Sequence, residues 1–341
     1  MARSDRQDGP SAAGPSAAAP IAVLGAGAFG TAVAVVLARA GREVTLVARD
    51  AAAVARIREA GRSPRLPGVP LPEDLAVRER LPATRRHPVV LVAVPTQGLR
   101  AALAARAGEL AAARALVLLS KGAELGSGRL PTEIAAEVLP DLPAAALTGP
   151  GFADEIAVGK PTAMTLAAED AGLRRFLQEL LSTPSLRLYG SADPVGAQVG
   201  GALKNVIAIA AGIVIGAGLG ESARAALMTR GFAEMRRYAV ARGAQPETLT
   251  GLSGFGDLAL TCTSRRSRNF RFGLALGAGE APAAGETVEG VATARAIAAA
   301  GRAEGIDTPI TEVVSAVLDD RMSVAEAMHA LLSRPLRDET D

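Results

Sequence analysis

The chain has 341 residues, of which 49% are hydrophobic, so it is long enough for two domains with a core each. Its 37 basic and 35 acidic residues leave a formal net charge of +2, and with two Tyr and no Trp the composition gives no case for a nucleic-acid-binding protein. The single cysteine, Cys262, excludes an intramolecular disulfide and a thiolate metal cluster, and we expect a cytoplasmic protein.

The chain begins with a segment that differs in composition from the rest. Residues 1–19 mix Ala, Ser, Gly and Pro with charges and lack a continuous apolar stretch, so we expect a disordered tail and no signal peptide. Beyond it, the pattern predicts a buried strand at 21–24, a helix at 28–39 and a second strand at 43–48. A strand, a helix and a strand in thirty residues indicate a βαβ unit.

The alternation of strands and helices continues and then stops. Further apolar strands are predicted at 89–94, 115–120, 144–149, 162–167 and 185–191. Beyond Asp193 the sequence predicts helices separated by Gly and Pro, at 194–216, 222–242, 264–277, 290–303, 309–319 and 323–333. We therefore expect an α/β domain over 20–191 and an all-α domain over 192–341.

A glycine-rich turn follows the first predicted strand. Gly25, Gly27 and Gly30 have the G-x-G-x-x-G spacing, which alone is a weak signal. Here it lies between a strand and a helix, where it predicts a dinucleotide site. The glycines allow a tight turn, an approach of the backbone to the pyrophosphate and close helix–strand packing, while the helix N-terminus offers N–H groups to phosphates. The N-terminal domain is thus predicted to be a Rossmann-like, doubly wound sheet.

The end of the second strand bears on the choice of cofactor. An acidic residue there is typical of NAD sites, and an arginine suits the 2′-phosphate of NADP. Arg49 comes first and Asp50 follows, which favours NADP or the use of both cofactors. The alternative is a solvated arginine in a turn.

Two more stretches lie where parallel strands end, the edge at which open α/β sheets bind ligands. Lys121 follows one strand and is either an anion-binding group or a solvated lysine. The stretch 148–155 ("TGPGFADE") is either an anion-binding turn of backbone N–H groups or a simple Pro-Gly turn.

The helical half holds a basic run after Asp257: Arg265, Arg266, Arg268 and Arg271. Arg268 and Asn269 stand at or near a predicted helix start, which is a natural site for a phosphate. The alternative is a solvated basic face.

One apolar stretch, 200–220, carries a single charge, Lys204. The run from Asn205 to Gly220 has sixteen residues, fewer than the roughly 20 that a bilayer requires. A span would have to include Lys204, at a cost of roughly 2.5 to 3.5 kcal/mol. A buried core helix is favoured over a membrane span.

Several motifs occur in order: "GAGAFGTA", "VAVPT", "SKG", "GPGFADE", "LKNVIAI", "GDLALTCTSRRSRNFRFG" and "VEG". Together they resemble the bacterial-type NAD(P)-dependent sn-glycerol-3-phosphate dehydrogenases, from residue 20 to about 335. The resemblance implies an active site between the two domains, where dihydroxyacetone phosphate and sn-glycerol 3-phosphate are interconverted to supply glycerophospholipid synthesis. It also implies a homodimer.

The resemblance assigns roles to individual residues, with Lys204 as the catalytic acid and base. The substrate-binding positions that it implies are Lys121, Gly149, Gly151, Lys204, Asp257, Ser267, Arg268 and Asn269. The cofactor positions that it adds to the three glycines and Arg49 are Ala28, Phe29, Lys121, Ala153, Arg268 and Glu289. Gly151 replaces the usual Ser or Thr of the family, so only a backbone N–H remains there for the substrate.

The implied chemistry sets a requirement on Lys204. To donate a proton in one direction and accept it in the other, its pKa should be lowered toward neutrality, which an apolar helix and nearby cations both favour. Asp257 either orients Lys204 or holds a substrate hydroxyl, and Arg268 and Asn269 hold the phosphate.

Two other functions compete with this one. A β-hydroxyacid dehydrogenase or a ketopantoate reductase also combines a Rossmann domain with helices and uses a lysine, but neither explains the "SRNFRFG" cluster. A cofactor-binding sensor without turnover has no need for Lys204, Asp257 and Arg268 together.

Overall fold

The computed structural model describes residues 19–81, 88–283, 285 and 287–332; the predicted tail lies, except for Ala19, outside them. Within these residues the strands form one sheet: β1 (Ile21–Leu24), β2 (Val44–Val47), β3 (Ala76–Arg78), β4 (Val89–Val92), β5 (Ala115–Leu118), β6 (Ala144–Thr148), β7 (Thr162–Ala167) and β8 (Leu186–Ser191). The order is β3-β2-β1-β4-β5-β6-β7-β8, and all neighbours are parallel except β6 and β7.

The strand order reverses direction between β1 and β4, which creates a crevice at the edge of the sheet. Every residue of β1, β2, β4 and β5 is buried, as expected of parallel strands covered on both faces. The chain runs outward from β1 to β2 and β3 on one side and returns to β4 on the other. Ligands bind at such a reversal, beyond the carboxyl ends of β1 and β4.

The helices of the sheet half are α1 (Ala28–Arg39), α2 (Ala51–Ala60), α3 (Thr96–Ala105), α4 (Ala107–Leu110), α5 (Pro131–Val138), α6 (Ala153–Ala157) and α7 (Ala171–Leu181). Those of the helical half are α8 (Pro194–Gly216), α9 (Gly220–Ala241), α10 (Pro246–Thr250), α11 (Asp257–Thr263), α12 (Arg268–Gly277), α13 (Glu289–Glu304), α14 (Pro309–Leu318) and α15 (Val324–Leu332). A π-helical turn, Leu252–Gly256, precedes α11.

The predicted fold class is confirmed: an α/β sheet comes first, and in the described part of the chain after Ser191 the structure has only helices. The domain boundary at 191 stays a prediction. The predicted helix 264–277 is wrong at its start, because 264–267 form a turn and α12 begins at Arg268. The Ser267 hydroxyl accepts a hydrogen bond from the Phe270 N–H at 3.2 Å and caps α12 there.

Helix α8 is the core of the helical half. By length and composition it is the one helix in the described ranges that could cross a membrane, but 89% of its most apolar window is buried inside the protein. The prediction of a buried core helix is confirmed.

Glycines let α8 and α12 pack backbone against backbone. A Cβ at Gly212 would collide with the Phe270 carbonyl oxygen, and one at Gly273 with the Ile209 carbonyl oxygen. Gly216 and Gly277 make the equivalent contacts one turn further along. This close packing brings the first turn of α12 beside the middle of α8, where Lys204 lies.

Candidate active site

The site forms where α8 crosses the carboxyl edge of the sheet. A Cβ at Gly201 would lie 2.6 Å from the Thr148 hydroxyl and 3.7 Å from Cγ of Lys121. Helix α8 therefore rests directly on the ends of β5 and β6 because residue 201 has no side chain. One turn later α8 presents Lys204 to Lys121.

A single carboxylate joins the two lysines. Asp257, the first residue of α11, accepts a hydrogen bond from Lys204 Nζ on Oδ1 at 2.6 Å and from Lys121 Nζ on Oδ2 at 2.7 Å. Lys121 Nζ also donates to the Gly149 carbonyl oxygen at 3.0 Å, and Lys204 Nζ donates to the Thr261 hydroxyl at 3.0 Å. Four of the predicted site residues thus contact one another.

Burial and charge set the protonation of this cluster. Burial, reinforced by Lys121, lowers the pKa of Lys204 to about 8, although Asp257 opposes the shift. Burial would raise the pKa of Asp257, but Lys121 and Lys204 more than offset this and hold that pKa below its usual value. A lysine whose pKa lies close to neutral pH is present as both ammonium and free amine, so it can donate a proton in one direction and accept one in the other.

A second polar chain links α12 to α13. Asn269 donates from Nδ2 to Oδ1 of Asn205 at 2.9 Å and accepts on Oδ1 from the Gly290 N–H at 3.0 Å. Glu289, the first residue of α13, is half-buried; burial raises its pKa, and Arg268 is the largest opposing influence. Arg268 itself is exposed at the start of α12.

The glycine turn fits a dinucleotide. Gly25 has φ +117°, and a Cβ there would lie 2.6 Å from the Ala93 carbonyl oxygen. A Cβ at Gly27 would meet no heavy atom of the described residues within 4 Å, whereas one at Gly30 would collide with the Gly25 carbonyl oxygen. Gly27 is the N-cap of α1 and brings no side chain, so the first N–H groups of the helix are available to phosphates.

Arg49 lies away from the lysines, at the end of β2. Its side chain is 87% exposed, and Nε donates to Oδ2 of Asp50 at 3.0 Å. Oδ1 of Asp50 accepts from the Ala53 N–H at 2.7 Å and caps α2. The acid that follows β2 thus caps α2 and pairs with Arg49, while 41% of its side chain and 87% of that of Arg49 stay exposed.

The basic run separates into different environments. Arg266 pairs with Glu155 at 2.6 Å and with Asp154. Arg271 donates to the carbonyl oxygens of Arg265 and Arg266 at 3.0 and 3.1 Å. All four arginines of the run are exposed, so they differ in their partners and not in burial; Arg268, the predicted phosphate residue, is the first residue of α12.

The remaining predicted residues line the same edge. Ala28 and Phe29 open α1, and the Phe29 ring centroid is 6.0 Å from Lys121 Nζ. Ala153 opens α6. A Cβ at Gly151 would lie 2.9 Å from Cδ1 of Ile156, so the space for a family-like side chain is partly filled here.

Sequence reasoning missed Thr261 and Asn205. Thr261 stands four residues after Asp257, which places both on one face of α11. Asn205 follows Lys204 directly. Spacing on a helix would have suggested the first; the contact between Asn205 and Asn269 depends on the packing of α8 against α12.

Models of one protein family match both halves of the chain. The model of the NAD-dependent glycerol-3-phosphate dehydrogenase N-terminus matches residues 20–173, and that of the C-terminus matches residues 193–329.

Curated relatives match over nearly their full length. Glycerol-3-phosphate dehydrogenases [NAD(P)+] of a Ruegeria species and of Cereibacter sphaeroides are 53% and 55% identical to this chain, covering 94% of it and 99% and 100% of themselves. The crystal structure of glycerol-3-phosphate dehydrogenase from Coxiella burnetii, 38% identical, superposes with a TM-score of 0.88 over 93% of this chain and 100% of that one.

Proposed function

We propose that this chain, which belongs to the NAD-dependent glycerol-3-phosphate dehydrogenase family, uses Lys204 as the acid and base of its reaction. The protein is an NAD(P)-dependent oxidoreductase that acts on a CH–OH group and interconverts dihydroxyacetone phosphate and sn-glycerol 3-phosphate. The observation that carries the proposal is the buried Lys204 ammonium: its pKa is about 8, and Asp257 accepts a hydrogen bond from it at 2.6 Å.

The reduction needs a proton where negative charge develops. When bound, the nicotinamide cofactor supplies the hydride. Lys204 donates its proton to the carbonyl oxygen of dihydroxyacetone phosphate, and Lys121 adds a second positive charge on the same side. In the oxidation Lys204, as the free amine, accepts the proton of the secondary hydroxyl.

Asp257 is a positioning group for both lysines. Each of its oxygens accepts from one ammonium, at 2.6 and 2.7 Å, which favours the orienting role over a contact with a substrate hydroxyl. By keeping the two ammonium groups side by side, Asp257 orients Lys204 toward the substrate oxygen and keeps Lys121 near the negative charge that develops there.

The substrate phosphate is assigned to the start of α12. Arg268 supplies an exposed guanidinium there, and the helix N-terminus supplies backbone N–H groups. The side chain of Asn269 is held between Asn205 and Gly290, so it contacts the first turn of α13, where the proposed cofactor residue Glu289 lies. Gly149 and Gly151 provide backbone to the substrate from the opposite wall, and Ala153 provides it to the cofactor.

Replacement of the lysine tests the proposal. We expect Lys204→Ala to fold, to bind NADPH with its usual fluorescence change, and to lose about 10³-fold in kcat with dihydroxyacetone phosphate. A variant that binds NADPH and keeps near-wild-type turnover contradicts the role of Lys204. Ketopantoate in place of dihydroxyacetone phosphate should give no NADPH oxidation.

The cofactor preference is proposed to be NADPH. The exposed Arg49 guanidinium can bind the 2′-phosphate, and Oδ1 of Asp50 is used by the α2 cap. We expect Arg49→Gln to raise KM for NADPH about tenfold and to leave KM for NADH within about twofold, since only NADPH carries the phosphate. Equal changes for both cofactors would contradict this assignment.

Three further inferences rest on the family and on composition. We infer that the enzyme supplies glycerophospholipid synthesis and that it is a homodimer. We also infer that it works in the cytoplasm, because a single cysteine is in keeping with a compartment in which disulfides are rare. Light scattering coupled to gel filtration tests the homodimer, since a monomer mass would exclude it.

A further inference from the structure

A charged contact joins the two halves of the molecule beside the proposed phosphate position. Arg266, in the turn before α12, donates from Nη1 to Oε1 of Glu155 at 2.6 Å and from Nη2 to the Asp154 carboxylate. Its guanidinium carbon lies 4.4 Å from the centroid of the Phe152 ring. The two acids belong to α6 of the sheet half, so the contact spans the cleft.

Both ends of this contact are continuous with proposed substrate residues. On the helical side, Ser267 and Arg268 follow Arg266 directly. On the sheet side, the turn that contains Gly149 and Gly151 leads through Phe152 into α6. A shift of either side relative to the other would change the distance between the two walls of the substrate site.

The contact is braced on each side. On the helical side, the Arg266 N–H donates to Oγ of Ser264 at 3.2 Å, and the Arg271 side chain holds the carbonyl oxygens of the same turn. On the sheet side, Lys160 Nζ donates to Oε1 of Glu155 at 3.0 Å. The turn and the first turn of α6 thus each have hydrogen bonds within their own half as well as the contact between them.

We propose that Arg266, Asp154 and Glu155 form a clasp that positions the phosphate-binding turn against the Gly149–Gly151 turn. Arg266 is a positioning residue, because it acts on the substrate through Ser267 and Arg268. The inference rests on the proposed function, in which Arg268 and the start of α12 bind the phosphate.

The exposure of the clasp decides what it contributes. The side chains of Arg266 and Asp154 are 41% and 62% exposed, and ion pairs that exposed contribute little to folding. Holding two walls of a binding site at a set distance does affect substrate affinity, because small misplacements are costly there. Loss of the clasp should therefore raise KM and leave the stability of the fold unchanged.

The first experiment compares neighbouring arginines. We expect Arg266→Gln to raise KM for dihydroxyacetone phosphate about three- to tenfold, with kcat changed less than about twofold and Tm unchanged. Arg265→Gln is the matched control, because it removes the same charge from the same turn. Its KM change measures the long-range attraction for the phosphate alone.

The second experiment separates the clasp from simple charge. The double variant Asp154→Asn, Glu155→Gln makes this side of the cleft more positive, so long-range attraction alone would lower KM for the dianionic substrate. The clasp predicts a rise in KM similar to that of Arg266→Gln, and no further rise when the three substitutions are combined. Salt should reduce each difference, since these charges are solvent-exposed.

The outcomes distinguish failure of the clasp from failure of the proposed phosphate-binding role of Arg268. Equal KM values for Arg266→Gln and Arg265→Gln, or a lower KM in the acid double variant, overturn the clasp. Arg268→Ala serves as the reference for the phosphate assignment. If Arg268→Ala leaves KM unchanged, the phosphate assignment fails; if it raises KM while the Arg266 result equals its control, only the clasp fails.

Discussion

Two of the buried carboxylates among the described residues of the helical half, Asp257 and Glu234, have different surroundings. Asp257 is 1% exposed and Glu234 is 2% exposed. Asp257 accepts hydrogen bonds from two lysine ammonium groups at the cleft. Glu234, in α9, accepts from the N–H groups of Ile310 and Thr311 at 2.7 and 3.0 Å, and from the Thr311 hydroxyl at 2.6 Å, at the start of α14.

The partners move the two pKa values in opposite directions. Burial raises the pKa of Glu234, and the neutral donors around it do not cancel that shift. Burial also disfavours the charge on Asp257, but Lys121 and Lys204 lower its pKa overall. Burial alone therefore does not identify a functional carboxylate. The cationic partners do, and one of them has a pKa that allows proton transfer.

Removing the charge of Asp257 should have the largest effect. We expect Asp257→Asn to lower kcat in both directions by about 10²- to 10³-fold, because neither lysine is then held or neutralised. Steady-state assays of reduction and oxidation measure this, and NADPH binding reports whether the variant folds. A kcat within about threefold of wild type would mean that Asp257 is no more than a buried partner, as Glu234 is.

The pH profile of the same variant sharpens the comparison. Because Lys204 has a pKa of about 8 and must be charged to donate a proton, wild-type kcat for reduction should fall as the pH rises through that value. Oxidation needs the free amine, so its kcat should rise over the same interval. Asp257 raises the pKa of Lys204, so both midpoints should move to lower pH in Asp257→Asn. Unmoved midpoints would show that the two groups are not coupled.

Glu234 should behave in the opposite way, with an effect on stability and not on rate. We expect Glu234→Gln to lower the free energy of unfolding by about 1 to 3 kcal/mol, since one amide oxygen replaces two acceptors and the NH₂ group faces an N–H donor. Urea unfolding measures this, and kcat should stay within about twofold of wild type. A stability equal to wild type combined with a large loss of kcat would reverse the roles assigned to the two acids.

The sign of the pH dependence follows from the raised pKa of Glu234. The unfolded-state value is near 4.5 and the folded-state value is higher. The folded protein therefore holds this proton more tightly, and the contribution of Glu234 to stability is complete below the unfolded-state pKa and is lost as pH rises through the folded-state pKa. The difference between wild type and Glu234→Gln should be larger at acid than at alkaline pH.

The family motifs singled out Asp257 as a predicted site residue, whereas nothing in the sequence singled out Glu234. Only three of the 37 basic residues are lysines, and two of them meet Asp257. Arginine cannot lose its proton at neutral pH, so an acid–base role requires a lysine; the third lysine, Lys160, has no such place and pairs with Glu155 at the surface. The motifs around Asp257 and its two lysines carry the signal of the family in short stretches.

The contacts that remained unpredicted depend on tertiary packing. Glu234 lies 76 residues before Ile310, and no spacing rule links a glutamate in α9 to the start of α14. Helix α2, strand β3 and the break at 264–267 were also missed, because short elements give weak periodicity. The Arg266 clasp spans 111 residues between Arg266 and Glu155, so the sequence indicated only a basic run.

Two threonines provide the smallest and best matched test of the comparison. Thr261 accepts from Lys204 Nζ at 3.0 Å, and Thr311 donates to Glu234 at 2.6 Å. Both side chains are buried, and valine replaces threonine with nearly the same shape, so each substitution removes one hydroxyl. We expect Thr261→Val to lower kcat about three- to tenfold and Thr311→Val to lower unfolding free energy by about 1 to 2 kcal/mol with kcat unchanged. Steady-state kinetics and urea unfolding of both variants measure these effects. Equal losses of kcat in the two variants would mean that the surroundings of Asp257 and Glu234 do not differ in function.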